Sequence, residues 1–223
     1  MVNRDFLRKS VDTLPWQDYR SNNTGMIIYY NSDPISEMAI REVPDDATSE
    51  VVQEPHYESG TFGVFGCART KIRSAFYKGK FRYLLLMTRY AGTKADFKDK
   101  LVITGFYHVY KTAELKKLHM RYMSEYSCLD QDECKALRAD EVHMVAIEDA
   151  YFITKDVLKE LAFESKITRQ TRIILTAEQV EKILQYLRSK PNQREQYCAE
   201  TKRLMPHELV DDDSTVDAEN DAA

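Results

Sequence analysis

The chain has 223 residues, of which 43% are hydrophobic and 11% aromatic, so it suits one folded domain with extensions better than two full domains. Its apolar runs are far shorter than the roughly 20 residues that span a bilayer, and its charged N-terminus lacks the apolar core of a secretory signal. These features predict a soluble, intracellular and cytoplasmic protein without a membrane partner. The four cysteines are scattered without a C-x-x-C pair, so we expect reduced thiols, no metal site and no cofactor.

Charge is distributed unevenly along the chain, although the formal net charge is only -4. Residues 59–95 contain eight Lys or Arg residues and no acid. Residues 33–58 contain eight acids against one Arg, and the tail after Pro206 contains seven acids without a Lys or Arg. This separation favours a positive surface that binds an anionic partner or the chain's own acidic segments.

The first half of the chain predicts a short helix followed mainly by strands. Residues 1–24 form a predicted N-terminal helical extension, and "GMIIYY" (Gly25–Tyr30) predicts a strand. Residues 31–58, with three prolines, predict a long acidic loop. "KIRSAFY" predicts a helical turn, and "FRYLLLMTRY" and "DKLVITGFYHVYKT" predict two long strands.

The second half predicts a helix, two short strands and further helices. "TAELKKLHMRYMSEY" has helical spacing, "VHMVAI" and "AYFI" predict strands, and Thr154 can cap "KDVLKELAF". In "LTAEQVEKILQYL", Thr176 and Gln179 predict a capping box. Residues 191–223 predict a weaker helix and a disordered acidic tail. The order predicts an α+β fold in which residues 25–190 form a small, mostly antiparallel, barrel-like sheet with flanking helices.

Aromatic residues are interleaved with the cations of residues 60–94. Nucleic-acid binding needs cations that neutralise phosphates and flat side chains on which unstacked bases rest. Since Arg69, Lys71 and Arg73 alternate, an extended segment would place them on one face. An ordinary surface strand with outward cations and inward rings has the same pattern. The predicted phosphate contacts are Arg69, Lys71, Arg73, Lys78 and Arg89, the predicted stacking residues are Phe65, Tyr77 and Tyr107, and the predicted base-edge contacts are Thr104 and His108.

The run "GCARTKIRSAFYKGKFRYLLLMT", followed by "KLVITGFYHVYK", resembles nucleotide-modification-associated domains and their relatives in the PUA-like superfamily, such as the EVE, ASCH and YTH modules. Such domains typically have a small or Cys-containing turn, a basic K-x-R helical turn and a Gly-Asp pair that leads into a strand. Cys67, Lys71, Arg73 and Gly79 fit this pattern, whereas Lys80 stands where the family has an acid. The run "RIILTAEQVEKILQYL" fits the Arg-led strand and capped helix of these domains. The resemblance covers about residues 25–190. It implies a compact barrel with a pocket for a flipped or single-stranded base, often a modified one.

We therefore expect a non-catalytic module that binds DNA or RNA and recognises a modified or flipped base, in a modification, restriction or defence setting, with a protein effector as a further partner. One alternative is an interaction protein whose acidic loop and tail bind a basic partner or mimic nucleic acid. Another is a metal-dependent nuclease built on Asp99, Glu114 and Lys116. The predicted position of Glu114 at a helix start, rather than in a strand, disfavours the nuclease.

Overall fold

A computed structural model describes residues 11–33, 36, 38–40, 54–64, 70–90, 94–115, 134–161, 166–168 and 170–204. The strands are β1 (Gln17–Asp18), β2 (Gly25–Asn31), β3 (Thr61–Phe62), β4 (Tyr83–Arg89), β5 (Leu101–Leu115), β6 (Cys134–Met144), β7 (Tyr151–Phe152) and β8 (Arg172–Leu175). The α-helices are α1 (Thr70–Lys78), α2 (Lys155–Glu160), α3 (Ala177–Arg188) and α4 (Arg194–Leu204). Two 3-10 turns span Ala95–Phe97 and Ile147–Asp149.

The eight strands form one mixed sheet. Its main path runs β3-β6-β5-β4-β2-β8, and β1 and β7 both pair with β5. β2 and β4 are parallel, because the connection between them carries α1 across the sheet, and the other strand pairs are antiparallel. Within the described residues β3 and β8 lie at the two ends of this path and do not pair with each other. The α+β prediction is confirmed, but the sheet is open and the predicted closed barrel is wrong.

The sheet buries apolar side chains on both faces. In β2, Met26, Ile28 and Tyr30 pack on the face that α1 covers, which we call the α1 face. The alternate residues Ile27 and Tyr29 pack on the opposite face, under α3, which we call the α3 face. Because helices cover both sides, the central strands are apolar almost throughout.

The predicted helix ends are largely confirmed. Thr176 accepts a hydrogen bond from the backbone N of Gln179, whose side chain in turn accepts one from the Thr176 backbone N at 2.9 Å, so α3 begins with a capping box. Thr154 caps α2 by accepting a hydrogen bond from the Val157 backbone N at 3.3 Å. The weak helix predicted near the C-terminus is α4. The predicted turn "KIRSAFY" is the nine-residue helix α1.

The helix predicted from Thr112 is wrong in its first turn. Thr112 to Leu115 continue β5 and pair residue by residue with Leu137 to Cys134 of β6. Ladder hydrogen bonds to a distant strand therefore override the helical spacing of the local apolar residues.

Several predicted features lie outside the described residues. These are residues 1–10 of the predicted N-terminal extension, most of the acidic loop, Phe65, Arg69 and the acidic tail. Over the described part of the chain, no helix is long and apolar enough to cross a membrane.

Candidate nucleic-acid interface

Helix α1 carries three of the predicted contact residues on its exposed side. Ile72 and Phe76 face the sheet, whereas Lys71, Tyr77 and Lys78 are exposed. Seven residues correspond to two helical turns, so Lys71 and Lys78 lie about 10.5 Å apart along the same side of the helix. α1 therefore presents two cations and one aromatic ring to solvent.

The Tyr77 ring is held in place by its neighbours. It stacks on Tyr19, with 5.9 Å between ring centroids and 25° between ring planes, and 39% of the residue is exposed. The Tyr19 hydroxyl donates to the Phe76 carbonyl at 3.2 Å, which ties Tyr19 to the end of α1. The Lys135 Nζ lies 4.9 Å from the Tyr77 centroid and forms an ion pair with Glu114. The result is an ordered, partly exposed ring with a cation beside it.

Arg73 points inward from the same helix and is completely buried. Its guanidinium carbon lies 5.7 Å from the Phe62 ring centroid, and its side chain packs so closely on Gly63 that a Cβ there would overlap it. The Gly63 backbone N donates to Glu54 Oε2 at 2.8 Å, and Glu54 is also buried. A buried guanidinium and a buried carboxylate thus flank one glycine. Arg73 does not reach the surface where a phosphate would bind.

The predicted sharing of one face by Lys71 and Arg73 is wrong for a geometric reason. The prediction assumed extended backbone, in which residues two apart point the same way. In a helix, residues two apart point about 200° apart, so Lys71 faces solvent and Arg73 faces the core.

Two residues predicted to contact a base are also in the interior. Tyr107 is 1% exposed, and its hydroxyl has no hydrogen-bond partner among the described residues. Burial, and then the negative charge of Glu54, raise the pKa of Tyr107. Thr104 is fully buried, with Oγ1 3.1 Å from the Tyr30 hydroxyl. We call Glu54, Arg73 and Tyr107 the interior polar cluster.

The remaining predicted residues lie elsewhere. Arg89 ends β4, roughly 20 Å along the strand from Tyr83, and its Nη1 donates to the Asp99 carbonyl at 2.6 Å. His108 follows Tyr107 in β5 and therefore faces the α3 side of the sheet, where its Nδ1 lies 2.5 Å from Asp140 Oδ1. The structure brings together Lys71, Tyr77 and Lys78 on the surface, and Arg73 and Tyr107 in the interior.

Sequence reasoning missed four side chains at these places: Tyr19, Glu54, Lys135 and Asp140. Tyr19 is 58 residues before Tyr77, and Lys135 is 58 residues after it, so no local pattern links them. Glu54 belongs to the preceding acidic loop, so it lies outside residues 59–95, the acid-free segment in which the site was predicted.

Two of the residues proposed for a metal-dependent nuclease, Asp99 and Glu114, do not meet. Asp99 lies just before β5 and Glu114 near its end, so roughly 40 Å of strand separates them. Lys116 lies outside the described residues. In the ranges that the structure describes, no group of three or more His, Cys, Asp or Glu side chains could hold a metal ion.

No protein-family model, curated protein or solved structure matches this chain. The similarity to PUA-like domains therefore stays a prediction.

His143 is expected to make stability depend on pH. Burial lowers its pKa from the ordinary value of 6.5, and its ring lies parallel to Phe106 at 5.6 Å. Between this lowered pKa and about pH 6.5, the unfolded chain binds a proton that the folded chain does not, so the free energy of unfolding falls as the pH falls. Urea unfolding from pH 5.5 to 7.5 should show a shallower pH slope for His143→Gln than for the wild type. Equal slopes would contradict the prediction.

Proposed function

We propose that this chain binds single-stranded or locally unpaired nucleic acid through the outer side of α1. The observation that carries the proposal is the ordered, exposed ring of Tyr77 beside Lys135, on a helix that also exposes Lys71 and Lys78. A base stacks on such a ring whatever its sequence, because every base has a π-face, while cations neutralise the adjacent phosphates. Ordering by Tyr19 reduces the side-chain entropy that binding costs.

The interior polar cluster supports a second step, in which a flipped or modified base is read. A buried hydroxyl without a partner costs about 1–3 kcal/mol, so a base that hydrogen-bonded to Tyr107 would offset that cost. A carboxylate and a guanidinium are also suited to the donors and acceptors on base edges. In this proposal Arg73 and Tyr107 contact the base, and phosphate contacts are left to the exposed lysines. Recognition of a modified base is the function that the predicted resemblance to PUA-like domains implies. It would place the protein in a modification, restriction or defence setting.

The test is fluorescence anisotropy with single-stranded and duplex oligonucleotides, of DNA and RNA, plain and base-modified, at several salt concentrations. We expect tighter binding of single strands than of duplexes. A preference for a modified base would support the second step. Equal binding of plain and modified strands would remove that step and leave the α1 interface in place, and no binding of any oligonucleotide would overturn the whole proposal.

The double variant Lys71→Gln/Lys78→Gln is expected to lower the salt dependence of binding. Each phosphate contact on a single strand contributes about 0.7 to the slope of log K against log salt, so the slope should fall by about 1.4. The matched control is Lys155→Gln/Lys159→Gln, which removes two exposed lysines from α2 and changes the net charge equally. If both variants showed the same slope, the lysines of α1 would not be phosphate contacts.

A further inference from the structure

The α3 face carries a row of polar side chains that the proposed function does not use. Tyr83 of β4 is the cross-strand partner of His108 in β5, and His108 is the partner of Glu141 in β6. The Tyr83 and His108 rings lie 5.1 Å apart. Three neighbouring strands therefore place a phenol, an imidazole and a carboxylate side by side at a partly exposed position.

A β-bulge adds a second carboxylate to this row. Along β6, Glu141 pairs with His108 and Ala139 pairs with Val109, so Asp140 is an extra residue without a cross-strand partner in the ladder. The bulge directs Asp140 towards His108, whose Nδ1 lies 2.5 Å from its Oδ1. When Nδ1 donates to this carboxylate, Nε2 carries the lone pair and accepts protons. Nε2 has no hydrogen bond within the described residues, and 22% of the His108 side chain is exposed.

Helix α3 supplies a cation to the same place. Arg188 Nε and Nη2 donate to the two oxygens of Glu141 at 3.0 and 2.6 Å, a bidentate pair that fixes the guanidinium. The guanidinium also lies 5.2 Å from the Phe106 ring centroid. The hydrogen bonds with Glu141 raise the pKa of Arg188. At 39% exposure its side chain remains open to an anionic ligand.

We propose that Tyr83, His108, Asp140 and Arg188 form a metal-independent site that cleaves RNA by transesterification. An oriented imidazole beside a fixed guanidinium and a phenol provides a base, a cation for the phosphate and a proton donor. His108 Nε2 takes the proton of a ribose 2′-hydroxyl, and the 2′-oxygen forms a bond to phosphorus. The bond from phosphorus to the 5′-oxygen breaks, and that oxygen takes a proton from Tyr83, which recovers one from the imidazolium.

The products are a 2′,3′-cyclic phosphate and a 5′-hydroxyl. One proton moves from the 2′-oxygen to the departing 5′-oxygen, so the reaction consumes no water, metal or oxidant. Arg188 faces the non-bridging phosphate oxygens, where negative charge develops. Asp140 is a positioning residue, because it acts only through His108.

This inference rests on the proposed function in one respect, which is that RNA is the ligand. The exposed residue Lys80 lies in the turn that joins α1 to β4, three residues before Tyr83. The row lies on the α3 face and α1 covers the opposite face. In our proposal an RNA strand that binds α1 passes Lys80 and continues around the end of the sheet at which β4 begins with Tyr83.

The test uses the full chain, a 5′-labelled single-stranded RNA and an excess of EDTA, with binding measured by anisotropy on the same samples. We expect cleavage that leaves a 2′,3′-cyclic phosphate, and no cleavage of the same sequence as DNA or as 2′-O-methyl RNA. His108→Gln should lower the rate by at least about 100-fold, because general base catalysis contributes 10²–10⁴-fold. Asp140→Asn should lower kcat with little change in KM.

The matched control is His56→Gln. His56 lies outside the row, and its Nδ1 is hydrogen-bonded to Ser59 Oγ at 2.7 Å. It should cleave at the wild-type rate, and thermal melting should show that each variant is folded. Binding without cleavage would overturn this inference and leave the proposed function intact. Equal cleavage by wild type and a folded His108→Gln would reveal a contaminating nuclease and also overturn it. If His108→Gln does not fold, the kcat of Asp140→Asn takes its place. A lowered kcat would support the inference, and an unchanged kcat would overturn it.

Discussion

Replacing Arg73 with methionine is expected to lower the free energy of unfolding by about 3–5 kcal/mol, because it leaves the buried carboxylate of Glu54 without a positive charge beside it. Methionine keeps much of the volume that packs on Phe62 and Gly63, so the decrease in the free energy of unfolding is due mainly to the removed charge. Urea unfolding followed by circular dichroism measures it. Lys71→Met, two residues away on the exposed side of α1, should change stability by no more than about 0.5 kcal/mol.

A double variant separates charge from packing at this site. Replacing Glu54 with glutamine in the Arg73→Met background removes the uncompensated charge, so part of the lost stability should return. Recovery would show that the two charges depend on each other. If Arg73→Met proved as stable as Lys71→Met, the buried carboxylate would not depend on Arg73. Weakened nucleic-acid binding by an Arg73 variant has meaning only after its folding has been measured.

Replacing Tyr77 with alanine is expected to weaken the binding of single-stranded oligonucleotides by about 5- to 150-fold, because base stacking on one aromatic side chain contributes about 1–3 kcal/mol. The variant should stay folded, since the ring is partly exposed and α1 is anchored by Ile72 and Phe76. Anisotropy titrations at one fixed salt concentration measure the effect. Tyr77→Phe keeps the ring and should bind nearly as the wild type does.

Ile174→Ala is the matched control for removal of an exposed apolar side chain. Ile174 is 65% exposed and lies on β8, at the end of the sheet path. Its replacement should leave oligonucleotide affinity unchanged. If Tyr77→Ala and Ile174→Ala bound equally well, the stacking role of Tyr77 would be withdrawn, whereas the phosphate contacts of Lys71 and Lys78 would still be judged by the salt slope.

The candidate interface was predicted only in part. The charge pattern placed the candidate interface within residues 59–95, and the structure shows that Lys71, Tyr77 and Lys78 of this segment are exposed. Arg73 lies in the core, because the helical period of α1 separates it from Lys71. The stacking of Tyr19 on Tyr77 and the bulge at Asp140 were not predictable, because each joins segments that share no local pattern.

Features that arise within one segment could be predicted from the order of its amino acids. The capping box of α3, the apolar central strands and the separation of acidic from basic segments depend on residues close together in the chain. Contacts between distant segments, in contrast, make the sheet open, place Glu54 and Arg73 on either side of Gly63, and bury Tyr107 while His108 stays partly exposed. Those outcomes depend on strand pairing and packing between distant segments. The free energies of these long-range contacts do not produce a repeating residue pattern within any one segment, so the sequence does not reveal them.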